Sequence, residues 1–121
     1  MFVLSVAFGG AIKDGSLAAY SNGTNVVVRW VSEEEAGVKG YVIERKAGME
    51  GPFALLTNPP IAPTGNGSSY EFEDNSAFRV TDNIYQYRIT AIGTGAVYYV
   101  SVNHSVSGVR RTWGSIKAMF R

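Results

Sequence analysis

A chain of 121 residues has the length of one domain with a single core. Its formal net charge of +1 leaves no broad electrostatic footprint for nucleic acid. Hydrophobic residues at 45% and charged residues at 17% describe a globular chain sparing in charge, and the absence of cysteine excludes disulfides and thiolate metal sites.

The chain opens with Met1-Phe-Val-Leu-Ser-Val-Ala-Phe-Gly-Gly10. Alternation puts Phe2, Leu4, Val6 and Phe8 on one face and Val3, Ser5, Ala7 and Gly9 on the other, a strand with large apolar knobs on one side. The same stretch has the apolar, small-ended look of a secretory h-region, but no basic n-region precedes it. No apolar run reaches the roughly 18 residues that would cross a bilayer, so no transmembrane segment is expected.

Lys13-Asp-Gly-Ser16 is a turn, Leu17–Tyr20 a short strand, and Asn22-Gly23 a hairpin signal, because both residues tolerate positive φ. The following strand, Val26–Val31, faces Val26, Val28 and Trp30 one way and Val27, Arg29 and Val31 the other. Ser32-Glu-Glu-Glu-Ala-Gly37 reads as a solvated connection with room for one helical turn; its glutamates lack the spacing of a Ca²⁺ loop. From Gly40 a second central strand turns Tyr41 and Ile43 inward and Val42, Glu44 and Lys46 outward.

Phe53–Leu56 is a short strand, and Asn58–Gly67, with three prolines and two glycines, is irregular and shields an edge. Tyr70 and Phe72 face inward on Tyr70–Asp74, and a polar crossing follows to Asn83. Tyr85–Ile92 is the cleanest period-two run, turned by Gly93-Thr-Gly95 into Val97–Val106. The expected fold is therefore all-β, a seven-stranded antiparallel sandwich of residues 16–107, with an apolar strand extension at 1–15 and a basic, aromatic tail at 108–121.

The run Val-x-Val-x-Trp30, Gly40-Tyr-x-Ile-x-Arg45, Phe53-x-Leu, Tyr70-x-Phe-x-Asp74 and Tyr85-x-Tyr-Arg-Ile-x-Ala91 resembles the fibronectin type III domain. It is closest in pattern to the immunoglobulin-like versions in bacterial secreted and surface proteins. The resemblance implies structural roles for Trp30, Tyr41 and Tyr85, with Tyr85 at the tyrosine-corner position, its hydroxyl bound to nearby backbone. It departs from the family at Thr81-Asp-Asn83, where Leu-Pro-Gly is usual. It implies an extracellular or cell-surface location but no particular activity.

Nothing in the sequence favours an enzyme. His104 is the single histidine, no nucleophile elbow or phosphate loop is present, and Glu71 and Glu73 face outward together. No catalytic, cofactor-binding or metal-binding residue is expected. Asn22-Gly-Thr24, Asn66-Gly-Ser68 and Asn103-His-Ser105 fit the glycosylation sequon, which a chain rich in Asn, Ser and Thr offers about once by chance, and in a bacterial protein they are expected to stay unmodified.

The two ends carry the functional expectation. The Phe2–Phe8 strand has the form of a polymerising donor that pairs with an exposed edge; the competing reading folds it onto its own sandwich. Beyond residue 107, Trp113, Ile116, Met119 and Phe120 make an apolar patch that requires a docking surface, whether the tail is helix or strand, and Arg110, Arg111, Lys117 and Arg121 make it basic. The expected function is a non-enzymatic subunit of an extracellular bacterial filament or surface assembly, a homopolymer with Phe2, Leu4, Val6, Phe8, Trp113, Ile116, Met119 and Phe120 at the subunit interface. Outward Val27, Val31, Val42 and Tyr99 extend the contacts, and attachment to a cell surface is compatible with it. The alternative is a monomeric adhesion or carbohydrate-binding module.

Overall fold

The computed structural model describes residues 10–48, 50–76 and 84–104. Its strands are β1 (Ala18–Ser21), β2 (Val26–Val31), β3 (Gly40–Ala47), β4 (Ala54–Leu55), β5 (Ser69–Asp74), β6 (Ile84–Ile92) and β7 (Ala96–Asn103), with no helix among the described residues. They form two antiparallel sheets, β1-β2-β5 and β4-β3-β6-β7. The two central runs read from the sequence, β2 and β3, are interior strands of different sheets, so their inward faces meet across the core.

Period-two alternation builds that core. Val26, Val28 and Trp30 from β2, Tyr41 and Ile43 from β3, Tyr70 from β5 and Tyr85, Tyr87, Ile89 and Ala91 from β6 are all buried, and Phe72 packs against them half-buried. Complete burial of an aliphatic or aromatic side chain contributes about 1.5–3 kcal/mol, so these side chains dominate the stabilisation.

Local chemistry sets the joints. Asn22 closes the β1–β2 hairpin by accepting from the Thr24 and Asn25 amides, and Gly23 takes φ 91°. The proline-rich run stays irregular, yet it covers the outer edge of β3: Tyr41 and Ile61 exchange backbone hydrogen bonds of 2.8 and 2.9 Å, and the Leu56 amide donates to the Ile43 carbonyl.

Four expectations are revised. Residues 11–13 belong to the sandwich rather than to an extension: Ala11 and Ile12 are core residues, Ile12 bridges Ser32, and the Lys13 amide donates to the Val31 carbonyl. Glu35 is buried rather than solvated, and its connection holds no helical turn. Val27 is buried, flanked by its cross-strand neighbours Tyr20 and Glu73, so it is not an outward contact. The last strand ends at Asn103 instead of Val106.

At the pole holding the β6–β7 turn, Gly93 has φ +104°, and a Cβ on it would lie 2.1 Å from the Gly37 carbonyl oxygen. Gly95, two residues on, has φ +82° with open space around it. Gly95→Ala is expected to cost roughly 1–2 kcal/mol, from the left-handed conformation alone. Gly93→Ala is expected to cost distinctly more, since two loop backbones must also separate; urea unfolding midpoints of the two variants check the order.

Candidate functional site

Two buried polar clusters lock the ends of the sandwich. At one end the Trp30 and Tyr70 rings stack at 5.2 Å, and Tyr41, from the opposite sheet, tilts against both at 5.3 and 5.1 Å. Glu35 caps this trio. Its carboxylate accepts from the Tyr41 hydroxyl at 2.7 Å, from the Tyr70 hydroxyl and from the Gly65 amide at 2.6 Å, while its own amide donates to the Asn66 side chain at 2.8 Å. Burial pushes the Glu35 pKa up, but the donors from Tyr70, Tyr41 and Gly65 outweigh it and hold the carboxyl below its ordinary 4.5. The Tyr41 phenol is pushed up by burial and by the neighbouring carboxylate.

At the other end Asp74, buried at the close of β5, accepts from Tyr87 at 2.6 Å and from Arg45 at 2.7 Å. Burial again raises its pKa, and Tyr87, Ser76 and Arg45 together bring it below the ordinary 3.8. His104 is buried beside Tyr85, with ring centroids 5.9 Å apart, and its Nδ1 shares a 2.6 Å hydrogen bond with the Ser21 hydroxyl. The Tyr85 hydroxyl and His104 Nε2 have no hydrogen-bond partner among the described residues, so no tyrosine-corner bond from Tyr85 is described; residues 77–83, just upstream, lie outside them.

Both carboxylates are occupied by donors from neighbouring strands and loops, and among the described residues no group of acidic or histidine side chains is arranged to hold a metal ion. No described helix is long and apolar enough to cross a membrane.

The surface carries more. The described chain enters at one pole and leaves at the other. Gly10 lies against Tyr98 near the start of β7, at the pole where β2 ends and β3 begins. His104 lies beside Ser21 at the opposite pole, where β1 ends and β2 begins. The eight residues of β7 span the distance between the poles, about 26 Å at strand rise. On the outer face of the larger sheet, the Arg88 guanidinium stacks 4.1 Å over the Phe53 ring and pairs with Glu44 at 2.8 Å, and Tyr99 packs 6.4 Å from Phe53. Tyr99 and Leu55 are each 55% exposed there, while Val31 and Val42 are half-buried.

Of the residues singled out from the sequence, Trp30, Tyr41 and Tyr85 are core residues, and Trp30 and Tyr41 are in ring contact. Phe2, Leu4, Val6, Phe8, Trp113, Ile116, Met119 and Phe120 lie outside the described residues. Sequence reasoning missed Glu35 and the Arg45–Asp74–Tyr87 network. For the second, a signal existed: Asp74 closes one alternating strand and Tyr87 is an inward tyrosine whose hydroxyl needs a partner.

No family model and no curated protein matches the sequence. Among solved structures, an Fn3-like protein from Clostridium thermocellum is similar at 15% identity and a TM-score of 0.48, over 73% of this chain and 86% of that one.

Both buried carboxylates are held below their ordinary values, so each adds stability that is complete above about pH 5 and is lost as pH falls through its lowered folded-state pKa. The urea midpoint is expected to be flat from pH 7 to about 5 and to fall below that. Glu35→Gln and Asp74→Asn should each cost roughly 1.5–3 kcal/mol at pH 7, the scale of hydrogen bonds to a charged group. The double variant should have a shallower acid limb than the parent, which urea titrations between pH 7 and 3 measure.

Proposed function

We propose that this chain is a non-enzymatic structural subunit of an extracellular bacterial filament, in which sandwiches join end to end through their terminal segments. The observation that carries this reading is the polar placement of the described ends, Gly10 at one pole and His104 at the other. Segments 1–9 and 105–121, which hold the apolar interface candidates, are attached at those opposite poles. A contact between the entry segment of one copy and the body of the next is heterologous, and without closure it propagates as a fibre.

Magnitudes decide how such a contact must be built. Burying Phe2, Leu4, Val6 and Phe8 would contribute roughly 6–12 kcal/mol in gross terms. Lost translational and rotational freedom costs an estimated 4–15 kcal/mol, so the knobs alone do not secure a stable joint. Backbone pairing along an edge, or docking of the Trp113–Phe120 tail, supplies the remainder. The extracellular bacterial setting is supported by the resemblance of the strand pattern to secreted fibronectin type III domains.

The test compares the full chain with one lacking residues 1–9, a deletion that spares the core residues Ala11 and Ile12. Sedimentation and negative-stain microscopy should show long assemblies for the full chain and short species or monomers for the truncated one. Assemblies that persist unchanged without residues 1–9 would remove the donor role.

A further inference from the structure

We propose that the free edge of β7 is the acceptor for the Phe2–Phe8 segment of a second copy of this chain, an inference that rests on the filament reading and gives it a defined surface. β7 is the last strand of its sheet: β1 of the other sheet lies beside it, but no described strand is hydrogen-bonded to its outer side. The opposite margin of the same sheet is closed by β4 and the Ile61 bridge. Natural edges are guarded by charge, proline, bulges or short length. β7, Ala96-Val-Tyr-Tyr-Val-Ser-Val-Asn103, has no charged residue and no proline over eight residues.

The ladder gives the edge its direction. The Gly48 amide donates to the Ile84 carbonyl, while on the far side of β3 Tyr41 exchanges backbone bonds with Ile61. Even-numbered residues of β6 therefore bond to β3 and odd-numbered ones to β7. Through the Tyr87↔Val100 and Ile89↔Tyr98 register, the backbone groups of Val97, Tyr99, Ser101 and Asn103 are left pointing off the edge.

Side-chain pattern matches on both faces. Tyr98, Val100 and Val102 face the core yet are only partly buried, so a strand laid beside them with large knobs on its inner face would complete their cover. An open cleft of about 440 Å³ lies beside the start of β7, lined by Ile12, Lys13, Leu17, Val97 and Tyr98, and offers space to a knob at that end. Phe2, Leu4, Val6 and Phe8 are such knobs, and Ser5 and Ala7 would lie outward, level with Val97, Tyr99 and Ser101. Nine residues precede Gly10, about 30 Å when extended, sufficient for the eight of β7.

The direction of entry favours a second copy over the chain's own edge. Residues 11–13 run antiparallel to the end of β2, with Ile12 opposite Ser32 and the Glu33 amide donating to the Ala11 carbonyl. The line from Lys13 back to Ala11 points over the pole rather than along β7, the direction in which a segment would reach a second copy.

The chain has no cysteine, so disulfide trapping is clean. Full-length chains carrying Ser5→Cys together with Val97→Cys, Tyr99→Cys or Ser101→Cys are oxidised as native assemblies, with Ser5→Cys plus Glu71→Cys, on the other sheet, as the control. A ladder of crosslinked multimers from at least one edge pair, lost in the control, is the expected result. Mixing the Ser5→Cys chain with the matching edge-cysteine chain should give the mixed dimer. A crosslinked monomer without a ladder would overturn the proposal in favour of pairing within one chain. Filaments visible by microscopy with no crosslink at any edge position would overturn the β7 assignment alone. Absence of both filaments and crosslinks would overturn the filament reading as well.

Discussion

The contact on which the structure depends is the aromatic trio of Trp30, Tyr70 and Tyr41 under the Glu35 carboxylate. Trp30 and Tyr70 belong to the smaller sheet and Tyr41 to the larger, so the trio joins the two layers. Two tyrosines so deep in a core bring hydroxyls that would be costly unpaired, and one carboxylate accepts both. That carboxylate would be costly in turn, and the Gly65 amide offsets part of its desolvation. The consequence reaches the surface: the loop through Glu35 and the loop through Gly65 and Asn66 are tied to the core at the pole where the chain enters. The Asp74–Arg45–Tyr87 network does the same at the other pole, where partial exposure of Arg45 keeps part of its charge solvated.

Legibility in the sequence followed the range of the interactions. Alternation is local, so Val26, Val28 and Trp30 on β2 and Tyr85, Tyr87 and Ile89 on β6 could be assigned inward without knowledge of their partners. Glu35 could not. Three consecutive glutamates look equally solvated, and which one is buried is decided by Tyr70, thirty-five positions away. Ala11 and Ile12 were misplaced for a similar reason: the Lys13-Asp-Gly15 turn looks like a boundary, while the contacts that anchor them come from Ser32 and Glu33. Val27 alternates outward as expected and is buried all the same, because burial on an outer face depends on neighbours that periodicity does not see.

The same division of scales applies to function. In the described interior the Glu35 and Asp74 carboxylates hold loops and strands together, and His104 lies against Ser21 and Tyr85. What distinguishes this sandwich lies at its margins. One edge of the larger sheet is shielded by an irregular proline-rich segment, and the other is a long neutral strand beside an open cleft. A neutral edge with no described strand hydrogen-bonded to its outer side is the kind of surface that strand addition uses. Under the proposed filament reading, placement of the described ends at opposite poles would make such a contact linear.

Subunit spacing along a native filament tests the end-to-end account most directly. Cryo-electron microscopy of the full chain should show sandwiches following one another along each protofilament with their strands near the fibre axis. The spacing should be roughly 30 Å or more, the length of a strand with its loops. A monodisperse monomer, a closed ring, or sandwiches stacked side by side at the roughly 10 Å spacing of packed sheets would contradict it.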